Sequence, residues 1–72
     1  MPRMSIQSRV SRNIQRIRRE KDLSQEEVAH RADIHQTYLS GVETEKRNPS
    51  ILVVERIANA LGVDVSGIFK PT

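Results

Sequence analysis

The polar residues Gln36, Thr37, Ser40 and Thr44, with Gly41 among them, follow one another at spacings that place them on a single stripe of an α-helix. Their chemistry is that of recognition, because amides and hydroxyls donate and accept hydrogen bonds without carrying charge. Gly41 in a helix interior costs roughly 0.5–1 kcal/mol relative to alanine. A face meant only for water is built more cheaply from Glu, Lys and Ala. The stripe therefore asks for a partner surface that offers hydrogen bonds and comes close to the helix.

Bond-making chemistry is poorly provided for. His30, Asp33 and His35 give the pattern H-x-x-D-x-H, but the two histidines flank a turn and no fourth ligand stands nearby, so no metal is expected. Ser, His and Asp are all present without a nucleophile elbow, a glycine-rich phosphate loop or a pair of catalytic carboxylates. A chain of 72 residues has little room for a substrate pocket. The sequence predicts no enzyme, no cofactor and no small-molecule ligand.

So short a chain forms one domain, with a stability of a few kcal/mol. It has no cysteine, so apolar packing alone must hold it. No apolar run nears the roughly 18 residues of a membrane span, and no signal-peptide core follows Met1. The expectation is a soluble, cytoplasmic protein with no membrane partner. The net charge of +3 conceals an asymmetry. In the first third, Arg3, Arg9, Arg12, Arg16, Arg18, Arg19 and Lys21 face only Glu20 and Asp22; the middle third is acidic and the last is balanced. A basic first third suggests a polyanionic partner, although arginine-rich helices are often simply solvated.

Periodicity organises the chain into short helices. After the cap Ser5, Ile6, Val10, Ile14 and Ile17 recur at spacings of four, four and three, and this helix ends near Lys21. Ser24-Gln25-Glu26-Glu27 is a capping box. It opens a second helix whose Val28, Ala29 and Ala32 face inward and which stops around Asp33. The polar stripe lies on a third helix, with Ile34, Leu39 and Val42 turned to the core, and a polar loop from Lys46 to Pro49 follows. Ser50 caps a fourth helix with Ile51, Val54, Ile57, Ala58 and Leu61 inward, and Gly62 stops it. A short fifth helix follows Asp64 and brings in Ile68 and Phe69. No segment alternates long enough to form a strand. The fold class is all-α, a compact bundle of four to five short helices. Residues 1–5 are expected as a flexible N-terminal arm and residues 6–70 as the domain.

The second and third helices are joined by a few residues around Asp33-Ile34, so they must cross steeply over a small side chain, supplied by Ala29. Such a pair, over about residues 24–44, is a helix-turn-helix, whose second helix is free to enter a DNA major groove. The segment LSQEEVAHRADIHQTYLSGVETEKRNPS resembles the Cro/cI-type helix-turn-helix family of phage repressors and bacterial regulators, from about Ser5 to Phe69. The likeness is carried by Leu23-Ser24-Gln25, Ala29, Tyr38-Leu39-Ser40, Glu43 and Arg47-Asn48-Pro49-Ser50. Within the family, HQTYLSGVE and KRNPS look most like the controller proteins of restriction–modification systems.

This resemblance implies a phage-repressor-like DNA-binding domain and roles for single residues. Gln36, Thr37, Ser40 and Gly41 would face base edges, with glutamine suited to adenine, the Thr37 methyl to a thymine methyl, and the glycine to close approach. Gln25 would hold a phosphate through its side chain and the helix N-terminus. Tyr38, Lys46, Arg47 and Asn48 would contact backbone phosphates, with Tyr38 as readily a packing ring. Arg18 and Glu43 match a family ion pair that ties the first helix to the third. The sequence departs from the family where glycine is frequent, at Asp22, Asp33 and Glu45, helix ends with left-handed backbone. Aspartate tolerates that state, whereas glutamate there costs roughly 1–2 kcal/mol. His35 replaces the more usual serine cap. Gln36 stands where controller-like relatives often have arginine, which implies a different operator.

One recognition helix buries too little surface to be selective in a genome. The expectation is a homodimer on half-sites about 34 Å apart in a near-palindromic operator. Val63, Val65, Ile68 and Phe69 are the expected dimer surface, unless they merely cap the core. The expected function is a sequence-specific transcriptional regulator of double-stranded DNA, nucleoid-associated in a bacterial or phage setting, of the restriction–modification controller kind. Two other readings stay open at this point: an antitoxin or phage-type repressor that also binds a protein, and a protein-interaction module that does not use DNA.

Overall fold

The computed structural model describes residues 4–71. Among them every regular element is a helix: α1 (Ile6–Glu20), α2 (Gln25–Ala32), α3 (Gln36–Glu43), α4 (Ile51–Leu61) and α5 (Val65–Ile68). Of the expected N-terminal arm, residues 1–3 lie outside the described residues, and Ser5 serves α1 as its cap. Four of the helices begin on a side-chain oxygen that accepts a first-turn N–H. Ser5 accepts from Ser8, Ser24 from Glu27, Ser50 from Val53 and Asp64 from Ser66. At α3 the cap is His35, which makes no side-chain capping bond. The capping box of α2 is half closed, because the Glu27 carboxylate accepts from Arg31 at 2.6 Å one turn on.

The first four helices end in one and the same way. Asp22, Asp33, Glu45 and Gly62 all take the left-handed conformation, with φ of 58°, 57°, 65° and 72°. The next N–H then reaches back to a carbonyl of the last turn: Leu23 to Arg18, Ile34 to Ala29, Lys46 to Gly41 and Val63 to Ala58, at 3.0, 3.0, 2.8 and 3.0 Å. This is the Schellman arrangement, which satisfies carbonyls the helix leaves open and often adds an apolar contact. Leu23, Ile34 and Val63 make that contact by packing on the core. Lys46 is exposed, so the exit of α3 lacks the apolar plug the others have.

The core gathers Val10, Ile14 and Ile17 of α1, Val28, Ala29 and Ala32 of α2, Leu39 and Val42 of α3, Val54, Ile57, Ala58, Ala60 and Leu61 of α4, and Ile68. α2 packs against α3 and α4, while α1 packs against α3, α4 and α5. Two buried polar side chains seam α1 to the rest. Ser11 Oγ donates to the Val42 carbonyl at 2.6 Å, and Asn13 Nδ2 donates to the carbonyls of Ile68 and Lys70, each at 2.7 Å. One expectation needs correcting: Ile51 is 77% exposed and its neighbour Leu52 71%. Ile51 lies at the edge of the α4 stripe in the first turn, where no neighbouring helix covers it. The inward face of α4 begins at Val54.

Candidate nucleic-acid interface

The third helix is braced from behind. Leu39 and Val42 are fully buried and Glu43 nearly so. Arg18 reaches over from α1 and grips both oxygens of the Glu43 carboxylate, Nε to Oε2 at 2.7 Å and Nη2 to Oε1 at 2.9 Å. Its remaining Nη1 donates to the Leu23 carbonyl at 3.0 Å. Gln25, first in α2, donates Nε2 to Glu43 Oε1 at 3.0 Å. A single carboxylate thus collects α1, the start of α2 and the end of α3. Burial pushes the Glu43 carboxyl up, but hydrogen bonds from Arg18 and Gln25 and the Arg18 charge outweigh it, and the group titrates below the ordinary carboxylate range.

The opposite side of α3 is unspent. Gln36 and Thr37 are exposed and Ser40 is half-buried, and among the described residues the side chains of these three make no hydrogen bond with the protein. Tyr38 packs its ring partly on the core, while its hydroxyl has no partner in the described chain. Arg56 steadies the turn before α3, donating Nη2 to the Asp33 carbonyl at 2.8 Å and pairing with Asp33 Oδ2 at 3.3 Å.

Gly41 has a different reason from the one expected. A Cβ built there would lie 2.6 Å from Cγ of Arg47, far inside van der Waals contact. The room left by the missing side chain is filled by the stem of Arg47, not kept clear for an approaching partner. The Gly41 carbonyl accepts from both Lys46 and Arg47 backbone N–H groups, at 2.8 and 3.1 Å. The loop carrying Lys46, Arg47 and Asn48 is therefore folded back onto α3. Its far side is tied to α1, where Gln7 Nε2 donates to the Glu45 carbonyl at 3.2 Å and Ser8 Oγ to Glu45 Oε1 at 2.6 Å. Lys46, Arg47 and Asn48 are exposed, and neither cation is paired with a carboxylate among the described residues.

The structure brings Gln36, Thr37 and Ser40 into one open face; the basic loop is folded onto the last turn of α3 at Gly41, and Gln25 at the N-terminus of α2 reaches the same end of α3 through Glu43. The group expected at the C-terminus is only partly available as a surface. Ile68 is fully buried in the core, and Val63, Val65 and Phe69 are half-buried against it. The large apolar side chains left in the open are Ile6, Ile51 and Leu52. Among the described residues, His30, Asp33 and His35 do not come together into a group able to hold a metal ion. No helix of the described residues is long and apolar enough to cross a membrane. Sequence reasoning missed Gln7, Ser8, Ser11, Asn13 and Arg56. Ser11 and Asn13 flank the apolar stripe of α1, but a short polar residue there does not announce which distant carbonyl it will meet.

Comparison with known proteins agrees with this geometry. The helix-turn-helix family pattern matches residues 14–68. Over 69 residues the chain is 42% identical to an uncharacterised HTH-type transcriptional regulator, y4dJ, of Sinorhizobium fredii, covering 96% of this chain and 90% of that protein. It is 40% identical over 66 residues to the control protein C.MunI of a Mycoplasma species, covering 90% and 89%. The crystal structure of the restriction–modification controller protein C.AhdI from Aeromonas hydrophila superposes with a TM-score of 0.84 at 28% identity, over 88% of this chain and 96% of that one. With its recognition helix braced on one side and unspent on the other, the chain belongs to the helix-turn-helix family and is a DNA-binding transcriptional regulator.

Proposed function

We propose that this regulator acts as a homodimer on a near-palindromic operator, in the manner of a restriction–modification controller, reading bases with Gln36, Thr37 and Ser40. The observation that carries the reading is the contrast between the two sides of α3: one locked by Leu39, Val42 and the Arg18–Glu43 pair, the other polar, uncharged and without side-chain partners among the described residues. A groove floor presents donors, acceptors and methyl groups at fixed positions, and a rigid helix with short side chains is matched to it. Gly41 contributes by seating Arg47, so the helix and the loop meet the duplex as one unit.

Around that face, Lys46, Arg47 and Asn48 grip phosphates, and Tyr38 adds its hydroxyl. Gln25 has one amide hydrogen on Glu43 and a second to give to a phosphate at the N-terminus of α2. Such contacts fix register on the duplex and leave sequence to the base-reading face.

The dimer is assigned to the apolar surface around Ile6, Ile51 and Leu52. Ile6 and Ile51 border a shallow groove of about 90 Å³ lined also by Val10, Pro49 and Phe69, and Leu52 follows Ile51 on α4, exposed. Large apolar side chains more than half exposed in so small a protein mark an interaction surface. Two copies joined there present two recognition helices, which a single small domain needs for selectivity. Selection of bound duplexes from a random pool tests the reading: the expected outcome is an enriched, near-palindromic site with half-sites about one helical turn apart. Failure to enrich any sequence contradicts direct readout.

A further inference from the structure

We propose that Glu45 is a positioning residue for DNA binding, whose carboxylate latches the loop after α3 to the first turn of α1 and so fixes where Lys46 and Arg47 stand. The inference rests on the reading of that loop as a phosphate grip.

Three observations meet at this residue. Glu45 holds φ at 65°, a left-handed state that a glutamate enters only against steric resistance and that Gly62 occupies freely at the end of α4. Both its polar ends are committed to α1, with Oε1 accepting from Ser8 Oγ at 2.6 Å and the carbonyl accepting from Gln7 Nε2 at 3.2 Å. Ser5 Oγ in turn donates to Ser8 Oγ at 3.1 Å, so two hydroxyls run in series into the carboxylate. α1 has no acidic residue in its own first turn, and Glu45 supplies from outside the negative charge that a helix N-terminus favours. Finally, this helix exit is the one whose following residue, Lys46, gives no apolar contact to the core. The latch takes the place of the plug.

Strain retained at a functional site fixes a geometry that a relaxed residue would leave loose. Glycine at position 45 makes the same turn without resistance but carries no carboxylate to meet Ser8. Plain electrostatics gives the opposite sign, since removing an acidic residue beside a phosphate grip should tighten binding.

The test uses the full chain and a duplex that the wild type itself selects from a random pool. Anisotropy titrations across a salt series are run beside thermal melts. Glu45→Gly is expected to melt at or above the wild type yet bind about tenfold more weakly, with a salt slope lower by about one ion. Glu45→Gln keeps an acceptor oxygen for Ser8 and is expected to bind at wild-type strength or better. Ser8→Ala leaves the backbone of residue 45 untouched and is expected to weaken binding in the same direction as Glu45→Gly. Melting and affinity moving apart is what a merely structural role does not produce. Binding by Glu45→Gly as tight as the wild type or tighter overturns the proposal, as does unchanged binding by Ser8→Ala. A wild type that retains no duplex from the pool overturns the latch and the phosphate-grip reading beneath it together.

Discussion

The side chain of Arg47 occupies the space in which any residue other than glycine would carry its Cβ at position 41, with Cγ of the arginine 2.6 Å from that point and Cβ 3.4 Å. Two residues six apart are thereby fitted to each other, and the fit has a measurable consequence. Helix propensity alone says that Gly41→Ala adds roughly 0.5–1 kcal/mol of stability. The new methyl must first displace the arginine stem, so the variant is expected to lose affinity for every duplex and approach Arg47→Ala. In an Arg47→Ala background the same Gly41→Ala change should leave binding untouched and raise the melting point. A double-mutant cycle on DNA affinity measures this coupling directly; additive losses would mean the two residues act separately.

Base reading and phosphate gripping separate by their dependence on sequence and salt. Gln36→Ala or Thr37→Ala is expected to cost about 1–3 kcal/mol on the selected operator and to relax preference at a single base pair. Arg47→Ala should weaken operator and scrambled duplex alike and lower the salt slope by about one ion. Equal losses on both duplexes for the α3 substitutions would remove Gln36 and Thr37 from the reading face.

The buried pair sets a pH dependence whose sign is fixed. Burial raises the Glu43 carboxyl and its bonds to Arg18 and Gln25 lower it by more, so the folded value lies below the unfolded one. Its contribution to stability is complete above the unfolded carboxylate pKa of about 4.3 and is lost as pH falls through the lower folded value. Thermal melts of wild type and Glu43→Gln should therefore converge on acidification below about pH 4. Arg18→Ala, which strands the carboxylate in the interior, is expected to destabilise by about 3–5 kcal/mol at neutral pH. A gap between wild type and Glu43→Gln that stays constant into acid would show that the carboxylate gains nothing from ionising.

The dimer assignment is checked by two substitutions of opposite character. Leu52 is 71% exposed, so Leu52→Lys should change monomer stability by no more than about 0.5 kcal/mol while giving monomers in sedimentation at micromolar concentration. Ile68 is fully buried, and Ile68→Ala should destabilise the fold by about 2–5 kcal/mol. A Leu52→Lys chain that still sediments as a dimer would move the interface elsewhere.

Much of the fold was legible because its signals are local. Ser5, Ser24, Ser50 and Asp64 stand at helix starts, Gly62 closes α4, and the apolar spacing of α1 and α4 points to the core. The left-handed states at Asp22, Asp33 and Glu45 were legible too, through the resemblance to a family that uses glycine there. The Arg18–Glu43 pair came from the same resemblance, since twenty-five residues of separation leave no periodic trace. What could not be read depends on tertiary placement. Ile51 and Ile68 are equally apolar, yet one is bare and the other enclosed, because exposure is decided by which neighbour happens to cover a helix end. Gly41 looked like a clearance for an incoming partner and is a seat for Arg47. The bonds of Ser8, Ser11 and Asn13 run to carbonyls and a carboxylate more than thirty residues away, and nothing in a hydroxyl or amide names its distant acceptor.

The division of α3 into a locked side and an idle side bears on how such regulators diversify. Since the side chains of Gln36 and Thr37 hydrogen-bond no part of the protein among the described residues, replacing them is expected to leave the melting point almost where it was. If Gln36 and Thr37 read bases as proposed, a change at either retargets the chain to a new DNA site with little penalty in folding, whereas a change at the buried Leu39, Val42 or Glu43 is felt by the fold. On that proposal, specificity and foldability fall to different residues on the same two turns of helix.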